Sequence, residues 1–265
     1  MLRKLLKYDL LSVWKGGWGV LPIMAGCTAV AAAAARVLNA DSSNYASMGS
    51  AYTISIILLS ICAFAILGCG VVIGNLVFVR FYNNFYTDEG YLTFTLPVKR
   101  NTLLLSKSLG AMICLVAYAV VAVICVLVFL MFGDFDFNIF EEIRFIWNGI
   151  YQETGAMTFV YCAELVLVLL CQLFFAISML QFAITVGNSI AKKARVIVSI
   201  AVFYVASVIA SFIIPDITLF DSFGEITSEW ASAAALLIFA LISFTVGLVL
   251  YYLTLDRISR KLNLD

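Results

Sequence analysis

Glu164 is the one acidic residue that lies well inside a long apolar run of this sequence. Gln172 and Gln181 follow it at roughly helical spacing within residues 157–187. Because exposing a carboxyl group to lipid is costly, an acid in such a position is a candidate functional group. The residues alone leave three roles open: an ion pair with Arg36, a place on the path of a transported molecule, or a protonation step that drives transport.

Several classes of enzyme and cofactor-binding protein are disfavoured by motifs that the sequence lacks. It contains no histidine, which argues against metalloproteases and against hydrolases that use histidine as a base. It contains no G-x-x-x-x-G-K-[ST] loop, and Gly70 and Gly74 lie within an apolar run, where they predict close helix packing instead of a phosphate site. The seven cysteines lie in apolar runs without a C-x-x-C pair and are expected to behave as small hydrophobic residues. We therefore expect this chain to be neither an enzyme nor a cofactor-binding protein.

The composition is that of a membrane protein, since 64% of the 265 residues are hydrophobic and 12% are charged. The net charge of zero gives no argument for a nucleic-acid partner. The apolar blocks are long enough to cross a hydrocarbon core of roughly 30 Å as helices. We predict an all-α integral membrane protein with one transmembrane domain, residues 1–265, and six spans at about 18–38, 51–79, 104–132, 157–187, 194–214 and 231–254. Asn75, in the second span, is expected to make an interhelical hydrogen bond rather than to contact a transported molecule.

Residues 1–14 predict an amphipathic helix in the membrane interface. Its apolar face is formed by Leu2, Leu5, Leu6, Leu10 and Val13. Its cationic face is formed by Arg3, Lys4 and Lys7. This pattern is typical of a helix whose cations face anionic headgroups. The start of a signal peptide is the alternative, and the Gly16-Gly17-Trp18 break without a small-residue cleavage site disfavours it.

Lysine and arginine residues decide the orientation of the spans. With the N-terminus inside, only Arg36 and Arg144 of the sixteen cations fall on the outer side. Both termini are therefore predicted to be cytoplasmic. The outer segment 133–156 alternates acids with Phe, Ile and Trp, and it predicts a short helix that lies on the outer surface of the bundle. A gate for a transported molecule is the more specific alternative for that segment.

The passage Arg80–Lys107, RFYNNFYTDEGYLTFTLPVKRNTLLLSK, is polar and aromatic and separates the second and third spans. Thr87 to Gly90 read as a helix start with acids in the first turn, and Pro97 ends the short segment that follows. Asn101 is expected to cap the next span. A loop folded over the end of the bundle would satisfy this pattern, but an exposed cluster of Tyr, Leu and Phe favours a segment that binds a partner.

The layout resembles the permease subunits of ABC-2 type transporters from Gram-positive bacteria. The resemblance rests on the six spans, the N-terminal amphipathic helix and the stretch R-F-Y-x-N-x-x-x-D-E-G-Y-L-x-F-T-L-P-V. It implies that residues 80–103 form a cytoplasmic coupling segment, whose coupling helix docks on a separate ATP-binding subunit that carries ATP and Mg. The coupling contacts implied in this chain are Asp88, Glu89, Gly90, Tyr91, Phe94 and Pro97.

The resemblance further implies a multi-pass protein of a bacterial plasma membrane that works as a dimer with a second permease copy, identical or related. An amphiphilic cargo such as a peptide, a drug or a lipid-like molecule would suit a mostly apolar cavity. From their places in the spans, Glu164, Gln172 and Asn75 are the candidates for its path or for helix pairing. Two other classes stay open: an ion- or proton-coupled secondary transporter that uses Glu164, and a membrane scaffold or sensor that binds an ATPase but moves nothing. An intramembrane enzyme is disfavoured because one buried carboxyl without histidine makes no acid–base pair.

Overall fold

The computed structural model describes residues 2–41, 50–87, 90, 98–133, 139–190, 194–214 and 229–260. Within these ranges every regular element is helical, so the predicted all-α class is confirmed. The helices are α1 (Leu2–Gly17), α2 (Val20–Asp41), α3 (Ser50–Tyr86), α4 (Arg100–Phe132), α5 (Ile139–Thr154), α6 (Thr158–Ile190), α7 (Arg195–Ile213) and α8 (Glu229–Arg260). A 3-10 turn, Gly155–Met157, leads directly into α6.

Six of these helices, α2, α3, α4, α6, α7 and α8, are long and apolar enough to cross a membrane. They correspond to the six predicted spans, and they give the chain the character of a multi-pass membrane protein. Within the chain, only 6% of the most apolar stretch of α4 and 11% of that of α3 is buried. Apolar helices with so little internal burial expose large surfaces for lipid or for another chain to cover.

The second span was predicted to end at residue 79, whereas α3 continues to Tyr86. The helix is therefore about 55 Å long at 1.5 Å per residue. Its polar last turns bond within the helix, since the Asn84 side-chain amide donates to the Arg80 carbonyl at 2.8 Å. The Thr87 hydroxyl donates to the Asn83 carbonyl at 2.6 Å at the helix end. The prediction was too short because polarity ends the stretch suited to lipid but does not end a helix.

The prediction that Asn101 caps the next span is wrong. The Lys99 carbonyl accepts the first backbone bonds of α4, from Thr102 at 2.9 Å and from Leu103 at 3.2 Å. Lys99 therefore holds the cap position, and Asn101 lies inside the helix. Its side chain is used in a contact with a distant helix, which a local capping pattern could not reveal.

Two helices predicted outside the spans are present, whereas the predicted coupling helix lies outside the described residues. In α1, Arg3, Lys4 and Lys7 are exposed, whereas Leu5, Leu6, Leu10 and Val13 are partly buried, which confirms the two faces of this helix. The helix ends at Gly17, where the glycine break was expected. The helix predicted within residues 133–156 is α5. The placement of α1 in the membrane interface and of α5 on the outer surface both stay predictions.

The chain divides into two compact units. Unit 1 comprises Met1–Asp9, Phe78–Met112 and Ile150–Asp265. Unit 2 comprises Leu10–Val77 and Ile113–Gly149. The boundaries fall inside α1, α3 and α4 and within α5, so these helices contribute residues to both units.

In unit 2, α2 packs against α3 and α4 around a small core of Val20, Met24, Cys69 and Cys125. Gly70 permits a close approach, because an added Cβ would lie 2.8 Å from the Tyr118 hydroxyl. That hydroxyl donates to the Ile66 carbonyl at 2.9 Å. Gly74 has no described atom within 4 Å of an added Cβ. Of the two glycines predicted to pack closely, Gly70 therefore does so within the described part of the chain.

In unit 1, α6 is the central helix and packs against both α7 and α8. A Cβ added at Gly187 would lie 2.6 Å from the Ser199 Cα, so α6 and α7 meet there in close contact. A Cβ added at Gly247 of α8 would lie 3.1 Å from the Phe174 ring. The Gln172 side chain bonds to Ser243. Gln172 precedes Phe174 in α6 and Ser243 precedes Gly247 in α8, so the two helices run parallel.

Candidate functional site

One apolar core of unit 1 surrounds the helix ends on either side of residues 87–99. We call this buried core the anchor cluster. The anchor cluster consists of Phe81, Phe85, Leu103, Leu104, Ile184, Tyr251 and Ile258. These side chains come from α3, α4, α6 and α8, so the last turns of α3 and the first turns of α4 are held by the same apolar core.

The end of α3 is tied to α6 by a hydrogen bond. The hydroxyl of Tyr86, the last residue of α3, donates to the Thr185 hydroxyl oxygen at 2.8 Å. The Thr185 hydroxyl donates in turn to the Gln181 carbonyl of its own helix at 2.8 Å. Both hydroxyls are therefore satisfied, and the rings of Phe81 and Phe85 stack nearby with centroids 4.9 Å apart. This combination fixes where α3 ends relative to α6.

The start of α4 is tied to α8 in two places. The Tyr251 hydroxyl donates to the Asn101 side-chain oxygen at 2.6 Å. The Arg100 guanidinium donates from Nη1 to the Ser259 carbonyl at 2.7 Å. The last carbonyls of a helix lack intrahelical donors and carry partial negative charge, so a cation at this position is favourable. The first turn of α4 and the last turn of α8 are therefore held together.

A third link joins α1 to α4. Asp9 and Lys107 form an ion pair whose side chains are 17% and 13% exposed. The Ser106 hydroxyl, which donates to the Leu103 carbonyl at 2.8 Å, lies 3.4 Å from the Asp9 carboxylate. An added Cβ at Gly110 would lie 3.8 Å from the Asp9 Cβ, which shows that the two helices approach closely along this stretch. Because the pair is largely buried, it is screened less by salt than an exposed pair would be.

These links hold the two helices that flank residues 87–99 within unit 1. One end of the segment leads from a helix bound to α6, and the other leads to a helix bound to α8 and α1. A force on the segment would therefore act on α1, α6 and α8 within unit 1, because helices joined by packed cores and hydrogen bonds move as connected bodies.

Of the residues predicted as coupling contacts, Gly90 is described and is buried. Its amide donates to the Thr87 carbonyl at 2.7 Å. An added Cβ there would lie 2.8 Å from the Phe85 carbonyl oxygen, so the backbone approaches too closely for a side chain. The other predicted contacts, Asp88, Glu89, Tyr91, Phe94 and Pro97, lie outside the described residues.

Of the residues predicted on a transport path, Glu164 and Gln172 belong to unit 1 and Asn75 belongs to unit 2. The Glu164 side chain is 5% exposed, and its Oε2 atom has no hydrogen-bond partner among the described residues. Gln172 donates from Nε2 to the Ser243 hydroxyl at 3.0 Å and so pairs α6 with α8. Asn75 is exposed and donates from Nδ2 to Val71 of its own helix at 2.9 Å. Glu164 and Gln172 are separated by about 12 Å along α6.

Sequence reasoning missed the residues that hold the helix ends. Tyr86, Arg100 and Asn101 bond to residues about one hundred or more positions away, and such long-range contacts have no local signature. One signal was available for Asp9 and Lys107, since opposite charges were predicted on the same side of the membrane. That signal is weak, because the orientation rule places many other charges there as well.

Unit 2 contains an apolar groove between α2 and α4 with a volume of about 650 Å³. Its walls are mainly small residues of α2, including Ala25, Ala29 and Ala33, and branched residues of α4. Arg36 also lines it and donates from Nε to the Phe132 carbonyl at 2.7 Å. Within the described residues, no group of three or more His, Cys, Asp or Glu side chains is placed to hold a metal ion.

No protein-family model, curated protein or solved structure matches this chain. The class defined by the fold itself is that of an α-helical membrane protein with six helices able to cross the bilayer.

Proposed function

We propose that this chain is the permease subunit of an ATP-driven exporter of the ABC-2 type and is powered by a separate ATP-binding subunit. Two features support the proposal. The Arg80–Val98 stretch resembles the coupling segment of such permeases. The helices that flank this stretch are anchored to three other helices of unit 1, as a segment that receives a mechanical input requires.

The anchoring carries the argument for function. An ATP-binding subunit docked on residues 88–97 would change its position as it binds and hydrolyses ATP and Mg on its own surface. The segment would pass that movement through Tyr86 to α6 and through Arg100 and Asn101 to α8. Rigid-body movement of packed helices is an established way of alternating access across a membrane protein. No catalytic step is assigned to this chain.

The same proposal includes a dimer of permease copies in the plasma membrane of a bacterium. The sparsely buried stretches of α3 and α4 offer surface that a second copy and lipid together could cover. The cargo would be amphiphilic, such as a peptide, a drug or a lipid-like molecule, because the helices offer mostly apolar surface with few polar groups.

Co-purification from the native cell tests the proposal. We expect the tagged wild-type protein in mild detergent to retain an ATPase, and a Glu89→Arg/Tyr91→Ala variant to lose it. The matched control is Glu141→Arg/Tyr151→Ala, which makes the same two changes at exposed positions of α5 and should retain the ATPase. An absence of ATPase with a well-folded wild-type protein, or equal loss in both variants, would contradict the proposal.

A secondary transporter is the second candidate, and the buried Oε2 atom of Glu164 favours it. A carboxyl that binds a proton or an ion in turn could drive transport without ATP. This candidate predicts uptake or efflux in vesicles that lack ATP, and loss of that transport in Glu164→Gln. Normal ATP-free transport in the variant would rule it out.

A further inference from the structure

One buried stripe of α6 carries polar side chains, and the exposed positions of the helix are mostly apolar. At 3.6 residues per turn, Glu164, Ser178 and Thr185 lie within about 60° of one another around the helix, and all three are buried. On the exposed face, Leu165 and Leu169 are among the many apolar side chains. A transmembrane helix with this inverted arrangement directs its polar groups toward the protein interior, where they must find partners.

Several polar groups of α6 are satisfied by neighbouring helices. Gln172 bonds to Ser243, Thr185 accepts from Tyr86, and Gln181 accepts from the Ser108 hydroxyl at 3.0 Å. Two buried atoms on the same face are different, because the Glu164 Oε2 and the Ser178 Oγ have no hydrogen-bond partner among the described residues. A buried acceptor without a donor is unfavourable, and for a carboxylate the penalty is largest.

The sequence of unit 1 supplies no cation near Glu164. No Lys or Arg occurs in residues 145–191 or in residues 196–256, which include all of α6 and most of α7 and α8. Arg195 is near the other end of α6, because Ser199 packs at Gly187, and that point is about 35 Å from Glu164 along the helix.

Lys107 of unit 1 is also distant from the Glu164 carboxyl group. Lys107 is next to Ser108, which bonds Gln181, about 25 Å along α6 from Glu164. The parallel pairing of Gln172 with Ser243 places Glu164 level with the alanine-rich start of α8, which carries no charge opposite it. Within the described residues of unit 1, the Glu164 Oε2 atom is therefore buried without a hydrogen-bonding counter-charge.

We propose that Glu164 binds the cationic group of an amphiphilic ligand, with N–H donors of an ammonium or guanidinium group directed at Oε2. A carboxylate in apolar surroundings attracts such a group strongly, because both charges are desolvated together and the hydrogen bond is charge-assisted. The identification of this ligand as the exported cargo rests on the proposed function, whereas the binding site itself does not. Glu164 thereby narrows the cargo class from amphiphiles in general to cationic ones.

The test uses a matched set of soluble probes on the purified full chain in nanodiscs of zwitterionic phosphatidylcholine. Hexylammonium is the probe, and hexanol and hexanesulfonate have the same chain with a neutral or an anionic head. The apparent dissociation constant is obtained from the rise of the unfolding midpoint with probe concentration, since a ligand that binds the folded state stabilises it. We expect saturable stabilisation by hexylammonium that neither hexanol nor hexanesulfonate reproduces.

The Glu164→Gln variant should weaken hexylammonium binding by about thirty-fold or more, as expected when one member of a buried charge pair is removed. Without probe, the variant should unfold at a higher temperature than wild type, because the unpartnered carboxylate is gone. Glu141→Gln makes the same change on the exposed face of α5 and should bind the probe as wild type does. Equal binding in wild type and Glu164→Gln would overturn the proposal, and so would equal stabilisation by hexanol.

An Arg36→Gln variant tests whether the partner of Glu164 is the cation of a ligand or the Arg36 side chain. If Glu164 is free to bind a ligand, Arg36→Gln leaves hexylammonium binding unchanged. If both single variants lower the unfolding midpoint and their effects do not add, Arg36 is the partner of Glu164 and the proposal is overturned. Binding of hexylammonium without a co-purified ATPase would support the cation site and contradict the exporter function. A co-purified ATPase without hexylammonium binding would support the exporter function and contradict the cation site.

Discussion

The Tyr251 hydroxyl joins the start of α4 to α8 through one hydrogen bond of 2.6 Å to Asn101. Tyr251→Phe removes this oxygen and keeps the ring in the anchor cluster. We expect a loss of about 1 kcal/mol in the free energy of unfolding, the usual value for one such bond, because the exposed Asn101 side chain can be rehydrated. Denaturant unfolding in mixed micelles measures the change.

Tyr252→Phe is the matched control, since the Tyr252 side chain is 61% exposed and should lose almost nothing. Equal effects of the two substitutions would show that the Tyr251–Asn101 bond does not stabilise the helix end.

Asn101 also shows where reading the sequence residue by residue reaches its limit. The chain pattern at Lys99-Arg100-Asn101 indicates a helix start, and that part is correct. The assignment of the cap to Asn101 failed because Tyr251, one hundred and fifty positions later, takes the same side chain. Glu164 was easier to predict as a candidate site residue, because a single acid in an apolar run can be recognised from the local sequence. That its Oε2 atom has no hydrogen-bond partner among the described residues depends on the fold.

At the scale of helices, the contact between α6 and α7 depends on Gly187. We expect Gly187→Ala to destabilise the protein by about 3 kcal/mol, because the new methyl group would overlap Ser199 backbone atoms that cannot rotate away. Thermal unfolding in detergent provides the measurement.

The comparison for that variant is Gly74→Ala, where an added Cβ meets no described atom within 4 Å. This substitution should be neutral or slightly stabilising because alanine favours a helix by up to about 1 kcal/mol. A tolerated Gly187→Ala, with an unfolding midpoint like that of wild type, would contradict the close contact between α6 and α7.

The ion pair between Asp9 and Lys107 holds α1 against α4. We expect Asp9→Lys and Lys107→Asp each to destabilise the protein, and the combined charge reversal to recover part of the loss, with a coupling of about 1–3 kcal/mol. A double-mutant cycle of unfolding free energies measures it. Lys4→Asp on the exposed face of α1 serves as the control, and additive effects of Asp9→Lys and Lys107→Asp would contradict the link.

The helices themselves could be predicted well from the sequence, because an apolar run of twenty or more residues has few alternatives to a membrane helix. Their ends could not, as α3 shows by continuing seven residues past its predicted limit to Tyr86. Hydropathy predicts where the apolar stretch of a helix ends. The helix itself continues as long as its backbone hydrogen bonds are made and its side chains have contacts.

At the scale of the whole molecule, α6 receives the movement of residues 87–99 in the proposed exporter. Cys162 is an exposed thiol near the start of α6 and can report on that movement. In a complex with the ATP-binding subunit, we expect ATP to change the rate at which maleimide modifies Cys162, measured by mass spectrometry. The Tyr86→Phe/Tyr251→Phe variant should keep its ATPase but lose most of this change, because two of the links to α6 and α8 are removed. An unaltered response in the variant would show that the links do not transmit the movement.

The organisation of the site could be predicted only in part at this scale. The charge distribution and the Arg80–Val98 stretch predicted which segment binds a partner. The structure shows which helices hold the two helices that flank this segment. Neither the ties nor the apolar groove between α2 and α4 follows from local sequence, because each depends on residues that fold together from distant parts of the chain.

The most direct test of the central claim is to ask what touches residue 91 in the native cell. A photo-crosslinking amino acid, p-benzoylphenylalanine, is introduced at Tyr91 and, as the control, at Phe145, which is 76% exposed on α5. After irradiation, mass spectrometry identifies the linked molecules. The account predicts that position 91, and not position 145, links to a protein with a G-x-x-x-x-G-K-[ST] nucleotide loop. Links from position 91 only to lipid, or the same partners at both positions, would contradict the claim that this chain is driven by an ATP-binding subunit.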